Sequence, residues 1–330
     1  MNLLLTGSTG FVGRNLLLQA LQDPTWSEII LPVRSEAKLK EQLCNEGIKR
    51  LPERLHLCSV DEDGYSLEKA PSPDIAIHCA GLTFSRHRAD YFKTNVDGSL
   101  ELLKGLPESC QLLVLSSQSA AGPTPDFVEL RTREHAEKPH SWYGESKLAM
   151  EKKLLQHAQD RLLILRPPMI LGPRDSATVP LFQMARGLLR MKPGIQIKHY
   201  SWIAVDDLCR GILMAVKSDW KKLPHHNYFI ASNETITDLT LIQTTADVLG
   251  VSGITLRLPH AMIELISFVA DKIPALHKPL QSLGRDRVKE ILPQRWVADG
   301  SEFQRDFEWR PQTSLRETLK QTADWLKVNR

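Results

Sequence analysis

The feature that most narrows the fold lies at the start of the chain. An apolar run, Leu3 to Leu5, passes directly into Thr6-Gly7-Ser8-Thr9-Gly10-Phe11-Val12-Gly13, after which Val12, Leu16 and Ala20 recur at four-residue spacing. This pattern describes a strand that turns at once into an amphipathic helix. Gly7 permits the tight turn, Gly10 lets the backbone approach a ligand, and Gly13 lets the helix pack closely on the strand. The unpaired N–H groups at the helix start then face an anion such as a pyrophosphate. Glycines alone serve many turns for purely conformational reasons. Strand, glycines and helix in this order predict a dinucleotide cradle built on Gly7, Thr9, Gly10, Phe11, Val12 and Gly13.

The first half of the chain repeats the alternation. Strands are predicted near Asn2 to Leu5, Ile29 to Val33, Leu55 to Val60, Asp74 to Ala80, Gln111 to Ser116 and Arg161 to Arg166. Each carries Ile, Leu or Val on successive residues, as strands covered on both faces do. Tyr91 to Leu106 reads as one of the intervening helices. Right-handed crossovers between parallel strands make this order a doubly wound sheet. After Arg166 the pattern changes: Pro167, Pro168, Pro173, Pro180 and Pro193 punctuate the chain, and a lone strand-like segment, Asn227 to Ala231, follows much later. The predicted fold class is α/β, a Rossmann doubly wound parallel sheet with a smaller, mostly helical C-terminal substrate domain. In this reading residues 1–167 and 205–231 form the dinucleotide-binding domain, and residues 168–204 and 232–330 the substrate domain.

Composition removes several alternatives. The 330 residues include 42 Lys and Arg against 39 Asp and Glu, a net charge of +3, and only 6% are aromatic. The positive excess is scattered, which argues against nucleic acid as a partner. Cys44, Cys58, Cys79, Cys110 and Cys209 show neither a C-x-x-C pair nor a His at zinc-site spacing, so no metal is expected and reduced thiols are. Met1 to Leu5 lack a basic flank, which argues against a signal peptide, and no run of about 18 uncharged apolar residues marks an integral membrane segment. A soluble, cytoplasmic protein with a small-molecule substrate is the expectation.

The segment after the second strand, Pro32-Val33-Arg34-Ser35, holds no acid to receive a ribose 2′-hydroxyl. Arg34, with Ser35 and Lys38 nearby, suits a 2′-phosphate instead, so NADP(H) is favoured and NAD(H) is the alternative. The rival reading of these residues is a solvated basic helix start. The strongest chemical signal is Ser141-Trp142-Tyr143-Gly144-Glu145-Ser146-Lys147, in which Tyr143 and Lys147 share one helix face. A phenol with a pKa of about 10 is a poor base at neutral pH, and an adjacent ammonium and a cationic nicotinamide favour phenolate. Tyr143 can then exchange a proton with a hydroxyl or carbonyl as hydride moves, while Ser117, at the end of the fifth strand, hydrogen-bonds the same oxygen.

Taken together these residues resemble the extended short-chain dehydrogenase/reductase family over nearly the whole chain. The T-G-x-x-G-F-x-G turn is Thr6 to Gly13, the fourth strand ends His78-Cys79-Ala80-Gly81, and Thr94-Asn95-Val96-Asp97-Gly98-Ser99 is similar to the family's Asn-bearing helix. Ser117, Tyr143 and Lys147 match its catalytic positions, and the resemblance implies that Asn95 holds Lys147 through a water. It also implies cofactor contacts from Cys79, Ala80 and Gly81, from Pro167 and Ile170 within the Arg166 to Pro173 segment, from Tyr143 and Lys147, and from Asp61 at the adenine. Thr83, Gln118 and Ser119 are the implied substrate contacts. Ser117 is followed by Gln118 and Ser119 where the sugar-nucleotide dehydratases have Asp-Glu, so water elimination is not expected. Ser116-Ser117 with Ala121-Gly122-Pro123, the Pro-Val-Arg segment and the tail residues Trp296, Asp299, Trp309, Pro311 and Trp325 look like the 3β-hydroxysteroid dehydrogenase and dihydroflavonol reductase branch.

Other residues take a plainer reading. His78 at a buried strand end reads as a hydrogen-bonded core group, His135, His140, His225 and His226 as surface residues, and Asp206 and Asp207 as organisers of the sheet edge. Glu129, Arg131, Arg133 and Glu134 read as a solvated loop. Ala261 to Leu276 is an apolar helix interrupted by Glu264, Asp271 and Lys272. It reads as a core or lid helix of the substrate domain, with a membrane-surface helix as the rarer alternative. The expected function is NADP(H)-dependent interconversion of a secondary alcohol and a ketone. A nucleotide-sugar epimerase with retained NAD uses the same groups, and a noncatalytic dinucleotide sensor needs only the fold. The full set Asn95, Ser117, Tyr143 and Lys147 argues against the sensor. The resemblance implies a homodimer through the helices that bear Asn95 and Tyr143.

Overall fold

Strand β1 (Asn2–Thr6) sets the plan of the first unit. Leu3 and Leu5 enter one apolar layer and Leu4 the other, and all three are fully buried. With both faces covered, neither set of alternate residues is polar, which is why such strands read as plain apolar runs. The computed structural model describes residues 1–61, 64–272 and 285–328. Helix α1 (Phe11–Ala20) follows β1, then β2 (Glu28–Val33), α2 (Glu36–Asn45), β3 (Leu55–Asp61), β4 (Gly64–Tyr65) and β5 (Ile75–His78). Next come α3 (Arg88–Phe92), α4 (Gly98–Gly105), β6 (Gln111–Leu115), α5 (Gln118–Ala121), α6 (Trp142–Ala158) and β7 (Leu162–Arg166). The chain goes on through β8 (Met169–Leu171), α7 (Val179–Ala185), β9 (Leu189–Pro193), β10 (His199–Ala204), α8 (Val205–Ala215) and β11 (Asn227–Phe229).

The large sheet has the order β11-β7-β6-β5-β1-β2-β3-β4, parallel throughout except for β4. Leu4 pairs with Ile30 on one side and Ala76 on the other. Side chains from α1, α2 and α8 cover one face, and those from α4 and α6 the other. The strand order reverses between β1 and β5, and ligands of open α/β sheets bind beyond the strand ends at such a point. The helix expected over Tyr91 to Leu106 is interrupted. A wide π-turn at Lys93–Asp97 separates α3 from α4 and contains the buried Asn95. Insertions of this kind recur at functional sites.

The remainder comprises β12 (Thr235–Thr237), α9 (Asp238–Leu249), β13 (Ile254–Leu258), α10 (His260–Lys272), α11 (Arg285–Ile291), β14 (Arg295–Trp296), α12 (Ser301–Asp306) and α13 (Leu315–Val328). The proline-punctuated stretch holds more strand than the lone segment expected from sequence. β10 pairs with β8, β12 and β14, and β9 pairs with β13. β8, β12 and β14 are only two or three residues long, and β9, β10 and β13 interleave polar or charged residues with apolar ones, so none stands out as an apolar run. Phe182, Trp202, Ile236, Leu315 and Leu319 form the apolar core of this second lobe. Phe303 of α12, with Phe307 and Trp309 just after it, instead packs on Tyr228 and Ile230 in the core of the large sheet. Of the helix expected over Ala261 to Leu276, α10 covers the first part, and residues 273–276 lie outside the described residues. Among the described residues no helix is long and apolar enough to cross a membrane.

Candidate active site

The glycine turn meets the end of β5 at the switch point. Gly7 has φ +73°, and a Cβ there would stand 2.7 Å from the Ala80 nitrogen. A Cβ on Gly13 would stand 2.2 Å from the Gly7 carbonyl oxygen, so helix and turn touch backbone to backbone. Gly10 caps α1 without a side-chain hydrogen bond, which leaves the first-turn N–H groups of Phe11 and Val12 facing outward for an anion. Thr6 Oγ1 accepts from the Ala80 N–H at 3.2 Å and joins the His78 ring at 2.7 Å, fastening the Cys79-Ala80-Gly81 wall to β1. This cradle, which any larger residue would fill, fits a dinucleotide. Arg34 is exposed at the end of β2. Ser35 caps α2, its Oγ accepting from the Lys38 N–H at 3.3 Å. Asp61 is exposed at the end of β3.

Asn95, Ser117, Tyr143 and Lys147 converge around one end of α6. Ser141 starts this helix, its Oγ accepting from the Gly144 N–H at 3.0 Å. Asn95 Oδ1 accepts from the Leu82 N–H at 2.7 Å, and its Nδ2 donates to the Leu82 carbonyl at 3.1 Å and to Ser146 Oγ at 2.9 Å. A Cβ on Gly81 would lie 3.2 Å from both Asn95 Oδ1 and Lys147 Nζ, so those two groups are neighbours. Lys147 Nζ donates to the Leu115 carbonyl at 2.9 Å. Burial pushes its ammonium down to about 8, against the attraction of Glu151. Ser117 caps α5, accepting from the Ser119 N–H at 3.1 Å, and its side chain lies near the Tyr143 hydroxyl. Burial pushes the Tyr143 phenol up to about 12, with the Glu290 charge adding to the shift. The expectation that the ammonium and a cationic nicotinamide together favour phenolate concerns the cofactor-bound site; in the protein alone, desolvation raises the phenol. Gln118 is buried with its Nε2 unpaired, Ser119 is half-buried, and Thr83 is exposed on the loop after β5. Pro167 is buried, its carbonyl accepting from the Gln118 N–H at 2.9 Å, and Ile170 lies half-buried on β8.

Other polar residues have structural partners. His78 joins Ser99 Oγ at 2.9 Å with its second ring nitrogen, and burial with the Lys147 charge pushes it down to about 3. It is a neutral core group. Arg166 is buried in an ion-pair cluster with Glu151 and Glu137, whose attraction outweighs desolvation and raises its pKa. Asp207 accepts from the Gln312 and Thr313 N–H groups, both at 2.9 Å, and so ties the tail to α8. Arg131 departs from the solvated-loop reading. It is buried and donates to the Pro123 carbonyl at 2.7 Å and the Ala136 carbonyl at 2.6 Å, because the loop folds around its guanidinium. A cavity of about 490 Å³ lies beside this loop, lined by Phe127, Arg131, His140 and Arg295 among others, and none of Ser117, Tyr143 or Lys147 lines it.

Sequence reasoning missed the contribution of α11. Asp286 accepts from the Trp142 N–H at 3.0 Å, an N-terminal cap for α6 supplied from 144 residues away. Ser141 Oγ donates to Glu290 at 2.7 Å, and Arg287 pairs with Glu290 at 2.6 Å. These charges border Tyr143. No local pattern marks them, since their partners lie on a distant segment.

Residues 3–231 match the NAD dependent epimerase/dehydratase family. A ceramide reductase of Caulobacter vibrioides is 23% identical over 331 residues, covering 98% of this chain and 94% of that protein. A GDP-6-deoxy-D-mannose reductase of Pseudomonas aeruginosa is 29% identical over 265 residues, covering 74% of this chain and 79% of that protein. The crystal structure of a UDP-glucuronic acid 4-epimerase from Bacillus cereus, in complex with UDP-4-deoxy-4-fluoro-glucuronic acid and NAD, has a TM-score of 0.78 over 100% of both chains at 18% identity. That likeness shows the shared fold. The matched span contains the glycine turn, the β1–β5 switch point and the helix of Tyr143 and Lys147, and the chain belongs to the NAD-dependent epimerase/dehydratase family, as an extended short-chain dehydrogenase/reductase.

Proposed function

We propose that the protein is an NADP(H)-dependent oxidoreductase that interconverts a secondary alcohol and a ketone, with Ser117, Tyr143 and Lys147 as its catalytic residues. The observation that carries this reading is the gathering of Asn95, Ser117, Tyr143 and Lys147 at the start of α6, next to the glycine cradle, with Tyr143 one helical turn from Lys147. A protonated phenol is the species that carbonyl reduction needs. Gly7, Gly10, Gly13 and the start of α1 would hold the pyrophosphate, Arg34 the 2′-phosphate, and Cys79, Ala80, Gly81, Pro167 and Ile170 the nicotinamide end. Bound there, the nicotinamide supplies or takes up the hydride. In the reductive direction the Tyr143 O–H bond breaks and its proton passes to the carbonyl oxygen. Ser117 donates a hydrogen bond to that oxygen and stabilises the developing alkoxide. Lys147, which gives one proton to the Leu115 carbonyl, would use its others to hold the cofactor ribose, and its charge would favour the phenolate left behind. One relative that covers 98% of the chain is a ceramide reductase, which supports a lipophilic ketone as the substrate class.

Replacing Tyr143 by Phe lowers turnover by about 10³-fold on this reading and leaves NADPH binding unchanged. Unchanged turnover overturns it. Mass spectrometry of the dinucleotide released on denaturation, followed by titration of the emptied protein with NADPH and NADH, separates the rivals. Tighter binding of NADPH supports the reductase. Stoichiometric NAD with no preference for NADPH favours the epimerase.

A further inference from the structure

The cavity of about 490 Å³ beside the loop that follows α5 has a charge pattern that the proposed reaction does not use. Arg131, Lys138 and Arg295 line it together with the imidazoles of His135 and His140, against one carboxylate, Asp126. Three cations facing one anion leave two positive charges uncompensated. Among the described residues none of the three cations forms an ion pair, and Glu137, whose charge Arg131 also feels, is paired with Arg166 and Lys152. Arg131 is 1% exposed, and the Nε atoms of Arg131 and Arg295 are buried without a hydrogen-bond partner. A buried guanidinium with no counter-ion is costly, and a bound anion offsets that cost. The exposed apolar side chains Met262, Leu265 and Phe268 of α10, where the core-helix expectation does not hold, carry no such sign of what they meet.

The walls of this cavity are stitched together by backbone hydrogen bonds. The Thr124 N–H donates to the Arg295 carbonyl at 2.9 Å, the Arg131 N–H to the Val297 carbonyl at 3.0 Å, and the Asp299 N–H to the Arg131 carbonyl at 2.9 Å. Arg131 ties its own loop through the Pro123 and Ala136 carbonyls, and Arg295 reaches the Glu129 carbonyl at 2.6 Å. Both guanidiniums are thus fixed before a ligand arrives, which spares the entropy of ordering them on binding. Pro123, Pro125 and Leu292 supply an apolar wall, and Phe127, 90% exposed, presents its ring at the mouth. A phosphate monoester carries about 1.5 to 2 negative charges at neutral pH and suits the planar donors of arginine. We propose that this cavity is a second ligand site, separate from the catalytic residues, that holds the phosphate of a small phosphate ester between Arg131, Lys138 and Arg295, with the apolar body of the ester against Phe127 and the proline wall.

The test is isothermal titration calorimetry of the full chain in phosphate-free buffer, with NADPH and NADH both in excess so that the dinucleotide cradle is filled. Phenyl phosphate is expected to bind at one site per chain, more weakly as salt rises, and phenol is expected not to bind. K138E and, separately, R295Q are expected to weaken phenyl phosphate by about tenfold or more with far-UV circular dichroism unchanged. F127A is expected to weaken phenyl phosphate and leave inorganic phosphate as it was. Absence of phenyl phosphate binding overturns the proposal, as does wild-type affinity in both folded K138E and folded R295Q. Inorganic phosphate bound as tightly as the ester, with F127A neutral toward both, overturns the assignment to an ester. Binding is read without turnover, so a protein that takes up phenyl phosphate but shows no Tyr143-dependent reaction fails the functional reading alone.

Discussion

Lys147 on α6 and Lys192 on β9 are both buried, at 4% and 0% exposure, yet they are held in opposite ways. Lys192 Nζ donates to the Gly194 carbonyl at 2.8 Å and the Gln196 carbonyl at 2.6 Å and pairs with Asp238 at 2.7 Å. Two carbonyl hydrogen bonds and a buried ion pair thus surround the Lys192 ammonium. Lys147 gives one proton to the Leu115 carbonyl, and the carboxylate that attracts it, Glu151, is paired with Arg166. The fold holds Lys192 on three sides, whereas among the described residues Lys147 has one protein hydrogen bond and no direct ion pair. Burial alone therefore does not distinguish the two cations; the partners that each one meets do.

The largest effect expected from this contrast is on catalysis. Lys147→Met should reduce turnover by about 10³-fold while leaving urea stability equal or higher, because an incompletely paired charge has left the interior. Lys192→Met should do the reverse: it strands Asp238 without its cation and costs about 3–5 kcal/mol in urea unfolding, with turnover of the folded protein unchanged. A Lys192 variant that keeps its stability but loses turnover would break the contrast. A smaller effect tests the core behind Lys147. An unfolded chain protonates His78 below its ordinary value of 6.5, whereas the native state resists down to about 3. Stability present above pH 6.5 is thus lost as the pH falls toward 3, by roughly 2 kcal/mol or more. His78→Gln should flatten this limb in urea midpoints measured across pH. The smallest effect belongs to an exposed cation on the rim of the cradle. Arg34→Ala should weaken NADPH binding about tenfold and leave NADH binding unchanged, as titration of the emptied protein would show.

The parallel sheet was legible because β1, β2, β5, β6 and β7 are covered on both faces and so carry unbroken apolar runs. The Tyr143–Lys147 pair was legible because a four-residue helical spacing places two side chains on one face whatever surrounds them. Less could be read after Arg166. The alternation of β9 shows that its two faces differ, but hydropathy assigns Arg190 and Lys192 to solvent. Asp238 and the Gly194 and Gln196 carbonyls reverse that assignment for Lys192 by supplying the partners that water would otherwise provide. Arg131 escaped detection for the same reason, since the carbonyls it meets belong to its own folded loop. Asp286 and Glu290 could not be tied to Ser141 and Trp142 from spacing, because 144 to 149 residues separate the partners.

The sequence by itself determined the doubly wound sheet, the glycine cradle at its switch point and the helix that sets Tyr143 above Lys147. Each follows from steric and periodic rules that act over a few residues, and glycine's lack of a Cβ is such a rule. Only the tertiary structure decided which partners each buried lysine meets, which way β9 faces, and which carboxylate borders the phenol. Those outcomes depend on what distant segments bring to a buried polar group, because desolvation makes its partners, rather than its own identity, decide where it can reside.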